Sequence, residues 1–309
     1  MLDVTETVPA LDQEFFSDLA YDYYGNRIAT CNSDHTITIW SKSGDKRSWK
    51  PTSTIQGRTG VFHRVAWAQP EFGQILAACS SDCNVVIYEE TGDSESGEGT
   101  WAERARLVDS HGEVHALQFA PRHLGMQLAT LGEDGIVRIY EAVDMMQLSA
   151  WPLRDEFSMI LKPASTTSPS HSSISCLAWN TSPFDPPQLI VGRLDAIQIW
   201  QYSTSHRKWQ HISDLLPNRG YVCDVAWAPN LARSYDLIAT SFMGHDTVLS
   251  QIKAPGNVVQ TWTLPVRGCR LSWNPAGTLL ASSSPDGNVQ VWGRDLEGDW
   301  KCIESLLPS

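Results

Sequence analysis

The segment SDHTITIW, Ser33–Trp40, sets a polar turn before a strand that alternates Thr36, Ile37, Thr38 and Ile39 and closes on a tryptophan. The same design returns as SDCNVVIY (81–88), EDGIVRIY (133–140), LDAIQIW (194–200) and PDGNVQVW (285–292). β-Branched and aromatic residues in alternation suit a packed, pleated strand. An aspartate ahead of it can accept hydrogen bonds from nearby backbone N–H groups and so fix the turn.

Three aromatic positions carry the repetition along the chain. One ends a short apolar strand: Tyr21, Trp67, Phe119, Trp179, Trp227 and Trp273. A second closes the strand after the acidic turn, at Trp40, Tyr88, Tyr140, Trp200 and Trp292. The third opens another strand, at Trp49, Trp101, Trp151, Trp209, Trp262 and Trp300. All 13 tryptophans fall into these classes, which establishes six units. The turn aspartates Asp34, Asp82, Asp134, Asp195, Asp246 and Asp286 lie 40 to 61 residues apart.

Each unit holds four strand candidates; in the second they are HRVAW, QILAACS, NVVIYEE and WAERARLV. Four strands at a period of about 40 residues or more spell a β-propeller blade. The expected architecture is therefore all-β, a six-bladed WD40-type propeller. Residues 1–13 form an N-terminal extension. A single domain follows over 14–309, with blades near 14–57, 58–109, 110–160, 172–217, 219–265 and 267–307. Within the opening segment, Ile37 and Ile39 are expected to face the neighbouring blade. The fifth unit departs from the pattern, with Ser250 in VLSQIKAPG where an aromatic is due, and reads as a degenerate blade.

Composition narrows the function. A 309-residue chain with 42% hydrophobic and 19% charged residues buries a sizeable core. Its apolar runs fall far short of the roughly 20 residues a membrane span needs. The start MLDVTETVPALDQ has neither the basic nor the apolar region of a secretory signal. Seven scattered cysteines suit reduced thiols rather than a disulfide framework. A formal charge of −12 opposes direct contact with nucleic acid. The one basic cluster, KSGDKRSWK (42–50), reads as a solvated loop. EETGDSESGEGT (89–100) and ASTTSPSHSSIS (164–175) also read as solvated loops, the latter with Ser168-Pro169 as a phosphorylation candidate.

No catalytic constellation is legible, and no cofactor is expected. Asp109, Ser110 and His111 are consecutive, whereas a triad places its base between nucleophile and acid in space. Cys79 with Cys83, and His111 with His115, do not match the spacing of a zinc-binding pair. No glycine-rich loop leads into a helix to cradle phosphate.

Longer strings are more specific. AWAQPEFGQILAACSSD (66–82), LATLGEDGIVRIYEA (128–142), VAWAPNLARSYDLIAT (225–240) and GDWKCIESL (298–306) resemble the SEH-type nucleoporins, WD-repeat propellers related to the propeller of the outer COPII coat. The resemblance runs from about residue 14 to the C-terminus. It implies an open six-bladed ring that a helical, α-solenoid nucleoporin completes in trans with a blade between blades one and six. It further implies a place at the nuclear envelope in the Y-shaped complex of the nuclear pore, beside the other Y-complex nucleoporins, serving protein and mRNA transport. A second setting is the SEA/GATOR assembly at the vacuole or lysosome membrane, which relays amino-acid status to TORC signalling. The degenerate fifth blade and the short C-terminus depart from the family pattern.

The implied partner contacts are the apolar strand positions of the end blades: Leu19, Tyr21, Ile28, Ile37, Ile39, Leu271, Leu279, Val289 and Val291. Packing within each blade is the competing role for every one of them. Openness itself comes from the resemblance: six blades can also close, and LDVTETV (2–8) is placed to latch blade six. The alternative function is a closed WD-repeat propeller that reads a peptide at its central mouth as a substrate adaptor.

Overall fold

The computed structural model describes residues 16–42, 48–58, 60–92, 99–145, 147–160, 174–216, 219–231, 233–253 and 256–306. The extension 1–13 with its LDVTETV segment, and residues 43–47, 93–98 and 161–173, including Ser168 and Pro169, lie outside the described residues.

The chain folds as six antiparallel sheets of four strands, the blades of a β-propeller. Blade one holds β1 (Phe16–Tyr21), β2 (Arg27–Asn32), β3 (Thr36–Lys42) and β4 (Trp49–Gln56). Blade two holds β5 (Phe62–Trp67), β6 (Ile75–Ser80), β7 (Val85–Thr91) and β8 (Thr100–Leu107). Blade three holds β9 (Val114–Phe119), β10 (Gln127–Gly132), β11 (Ile136–Glu141) and β12 (Leu153–Ser158). Blade four holds β13 (Ser175–Trp179), β14 (Gln188–Arg193), β15 (Ala196–Ser203) and β16 (Lys208–Leu215). Blade five holds β17 (Val222–Trp227), β18 (Asp236–Phe242), β19 (His245–Lys253) and β20 (Asn257–Leu264). Blade six holds β21 (Arg270–Trp273), β22 (Leu279–Ser283), β23 (Val289–Arg294) and β24 (Trp300–Leu306). The only helical elements among the described residues are two short 3₁₀ turns, Pro70–Phe72 and Arg122–Leu124.

Tertiary contacts group the chain into two compact units, divided between Glu156 and Phe157. In the first unit β5 packs beside β1 and β9 beside β5; in the second, β17 packs beside β13 and β21 beside β17. Within each unit the cores lie between successive blades. Ala29, Cys31, Ile37, Ile39 and Ile55 of blade one meet Phe62, Val65, Leu76, Ala78, Val86 and Tyr88 of blade two. Ile37 and Ile39 thus face the neighbouring blade as the alternation predicts. In the second unit Leu237, Ala239, Leu249 and Leu264 of blade five meet Leu271, Leu280, Trp292 and Trp300 of blade six.

Two local devices recur. The turn between the second and third strands needs one left-handed residue, supplied by His35 (φ 67°), Cys83 (φ 65°), Gly135 (φ 74°), Leu194 (φ 53°), Gly244 (φ 72°) and Gly287 (φ 79°). The outermost strand carries one extra residue opposite the closing aromatic, giving bulges at Ile39/Trp40, Ile87/Tyr88, Ile199/Trp200 and Val291/Trp292. Such a bulge bends the strand and raises its twist. In blade five, where Ser250 stands at the aromatic position, the bulge moves to Gln251/Ile252, yet all four strands form.

The turn aspartates do not behave alike. Asp34 accepts from the backbone N–H of Thr36 (3.2 Å) and its hydroxyl (2.6 Å). Asp134 accepts from the N–H of Ile136 (3.1 Å) and from the Arg138 guanidinium (2.7 Å). Asp82 accepts from the Ser80 hydroxyl, and Asp286 sits exposed in its turn. Asp195 follows its left-handed residue instead of preceding it, and Asp246 lies inside β19 because the fifth turn is the shorter Met243-Gly244 pair.

Candidate partner-binding surface

A blade made of alternating strands has two faces, and each apolar face needs a cover. The first unit shows how a cover is fastened. The Asp18 carboxylate of β1 accepts from the Val65 N–H of β5 at 3.1 Å, and the Trp67 indole donates to the Ala20 carbonyl at 3.0 Å. The second unit repeats the device: Asp224 of β17 accepts from the Leu271 N–H of β21 at 2.9 Å, and Trp273 donates to the Ala226 carbonyl at 3.1 Å. Each pair locks the first strand of one blade to that of the next and positions the apolar faces against each other.

Blade six presents a second apolar face, turned away from blade five. Cross-strand pairing puts Leu279, Ala281 and Ser283 of β22 opposite Gly293, Val291 and Val289 of β23, all on this face. The corresponding positions of blade one, Ile37 and Ile39, are 0% and 1% exposed. Val289 and Val291 are only half-buried, and Leu279 is 36% exposed. The bulge residue Ile303 of β24 is 60% exposed and lies against Gly293. A Cβ on Gly293 would collide with Ile303 Cδ1 and come within 3.0 Å of Leu279, so this glycine lets both side chains rest on the strand backbone as one apolar ledge.

The nine expected contact residues separate into three groups. Leu279, Val289 and Val291 lie together on the face of blade six turned away from blade five. Leu19 and Tyr21, 56% and 57% exposed, share a face of β1, where the Tyr21 ring packs edge-on against Trp49 with centroids 6.1 Å apart. Ile37, Ile39 and Leu271 are buried between blades, and Ile28 is buried with Trp40 and Trp49. Sequence reasoning missed Ile303 and Gly293. The signal for Ile303 lies in the repeated bulge opposite Trp292, which becomes visible once strands are paired.

The centre of the ledge is made of the apolar side chains of Val289, Val291, Leu279 and Ile303. Two of the groups weighed as catalytic have hydrogen-bond partners in the turns of blade three. Ser110 Oγ donates to the Gly112 carbonyl at 2.7 Å, and the His111 N–H donates to Asp134 at 3.4 Å. Burial, with the hydrogen-bonded Asp109 carboxylate beside it, pushes the Tyr140 hydroxyl well up. Burial also pushes the Cys79 thiol up to about 12, so it stays protonated and a poor ligand. All seven cysteines are free thiols.

The sequence profile of the family described as WD domain, G-beta repeat matches residues 12–41 and 256–293, in blade one and across blades five and six. Among curated relatives, Nucleoporin SEH1-A of Xenopus laevis is 34% identical over 98% of this chain and 88% of its own length. Nucleoporin SEH1 of Homo sapiens is 35% identical over the same shares, and that of Osmerus mordax 36% identical over 98% and 87%. Identity at this level, spread over six blades and both units, places the chain in the nucleoporin SEH1 family of WD-repeat β-propellers.

Proposed function

We propose that this protein is a non-catalytic scaffold subunit of the outer ring of the nuclear pore complex, at the nuclear envelope. Its sixth blade accepts a β-element donated in trans by a helical nucleoporin. The observation that carries this reading is the half-exposed apolar face of Val289, Val291, Leu279 and Ile303; Ile37 and Ile39, the counterparts of the two valines in blade one, are sealed. A sheet face and a strand edge are what an added blade covers, by apolar burial and main-chain pairing. Leu19 and Tyr21 of β1 are the second set of candidate contacts. Through that assembly the protein supports transport of protein and mRNA between nucleus and cytoplasm. The same surface serves a second assembly of the SEA/GATOR type, peripheral to the vacuole or lysosome membrane and acting on TORC signalling. No helix of the described residues is long and apolar enough to cross a membrane.

The test is a titration of the purified chain with the blade-bearing fragment of the candidate helical nucleoporin. Binding raises the melting temperature, because a ligand that binds only the folded state stabilises it. Val291→Asp and Leu279→Asp each weaken binding by roughly 30-fold or more, the loss expected at a buried interface anchor. An unchanged melting temperature, or tight binding that survives both substitutions, overturns the proposal.

A further inference from the structure

The first strands of blades two and three carry a matched pair of histidines that no part of the partner-binding role uses. In β5 the pairing to β6 passes from Phe62↔Ser80 directly to Arg64↔Cys79, leaving His63 as the extra residue of a bulge. In β9 the pairing to β10 passes from Val114↔Gly132 to Ala116↔Leu131, leaving His115 as the extra residue in turn. The segments FHRVAW and VHALQF therefore place both imidazoles at the same register position of two adjacent strands. A bulge frees a residue from the ladder and re-aims its side chain, which is why bulges collect at functional sites.

The two rings lie with centroids 4.9 Å apart and planes inclined at 42°. Glu113, the residue before β9, turns its carboxylate between them. Its Oε2 lies 3.3 Å from His63 Nε2 and 4.0 Å from His115 Nε2. One donor atom from each residue lies within 4.8 Å of the others. None of the three groups is fully exposed, and His115 is the most enclosed.

We propose that His63, Glu113 and His115 form a binding site for one zinc ion that braces blade two against blade three. Two imidazole nitrogens and one carboxylate oxygen are the donor set of open tetrahedral zinc sites, with bonds of about 2.0–2.2 Å. Donors around such an ion stand about 3.4 Å apart, as this bond length dictates. The His63–Glu113 pair already stands at that separation, and the His115 nitrogen, at 4.0 Å from the carboxylate, moves closer on binding. The fourth position falls to water. Binding forms metal–nitrogen and metal–oxygen bonds and displaces water, and no redox step is involved.

The test is isothermal titration of the full chain, stripped with EDTA, with zinc chloride. The expected result is one equivalent bound by the wild type and a higher melting temperature with zinc than without it. His63→Gln, His115→Gln and Glu113→Gln each weaken binding by no less than the roughly 10- to 100-fold that losing even an outer-shell partner costs. Far-UV circular dichroism checks each variant. Glu113 lies outside every strand, so E113Q carries the test if a histidine variant fails to fold. Absence of binding by the wild type, or an equivalent of zinc retained at full affinity by H63Q/H115Q or by E113Q, overturns the proposal.

Discussion

Blade one and blade six are built on the same strand pattern, and their forward faces meet different fates. Ile37 and Ile39 of blade one are sealed by Phe62, Val65 and Leu76 of blade two. Val289 and Val291 of blade six occupy the same places in the pattern and stay half-exposed, with Leu279 and Ile303 beside them. Identical local chemistry thus yields a core in one place and a surface in the other. Exposed apolar residues are ordinary when scattered, whereas a contiguous apolar patch is what a binding surface requires.

The most severe way to test this contrast is to put a charge at each site. Ile39→Asp buries an unpaired carboxylate between blades one and two and costs more than about 4 kcal/mol, with loss of folded protein in urea titration. Val291→Asp leaves its carboxylate near water and costs no more than about 1 kcal/mol in the free chain. Equal losses at the two positions would break the comparison.

The next effect concerns the middle of the third strand, where blade three has Arg138 and blade six has Gln290. Arg138 is 2% exposed and pairs with Asp134 at 2.7 Å. Arg138→Met leaves that carboxylate without its cation and costs about 3 kcal/mol by thermal or chemical melting. Gln290 is half-buried and its side-chain oxygen has no hydrogen-bond partner, so Gln290→Met is close to neutral. The pH dependence separates them further. Burial alone would raise the Asp134 carboxyl, but the Arg138 guanidinium and the N–H groups of Ile136 and His111 outweigh it and hold it below its usual value. A depressed carboxyl contributes stability that is full above its unfolded value near 4 and is lost as pH falls through the folded value. The acid limb of the stability curve is therefore shallower in R138M and unchanged in Q290M.

The fastenings between blades come third. Asp224 is buried where it accepts the Leu271 N–H, so Asp224→Ala strands a buried donor and costs about 1–3 kcal/mol. Asp18 makes the equivalent bond from a half-buried position, and Asp18→Ala costs less. The reverse order in denaturant melts would mean that burial does not set the strength of these links. The smallest effect is at Ser250, fully buried with an unpartnered hydroxyl at the position the other blades give to an aromatic. Ser250→Ala removes that polar atom and stabilises the chain by up to about 1 kcal/mol.

Most of the architecture was legible in the sequence because propeller blades are local objects. Each blade pairs four consecutive strands, and the alternation in TITIW or VQVW declares which side chains share a face. That Ile37 and Ile39 turn toward the next blade followed from this period alone. The turns were less legible. Asp195 and Asp246 match the motif on paper, yet the left-handed residue precedes them, a difference in backbone dihedrals that an aspartate in a string does not encode. The histidine pair was invisible for another reason. His63 and His115 are 52 positions apart in the chain and become neighbours through two bulges and the packing of β5 beside β9.

By itself the sequence determined the number of blades, the strands within them, the faces of those strands and the family, because each depends on a short-range period or on strings of consecutive residues. Tertiary structure decided which apolar faces are covered and which are not, and which polar groups meet across blades. Burial and side-chain convergence depend on what lies opposite a residue in space, and the pattern of Val289 and Val291 matches that of Ile37 and Ile39 although their burial differs.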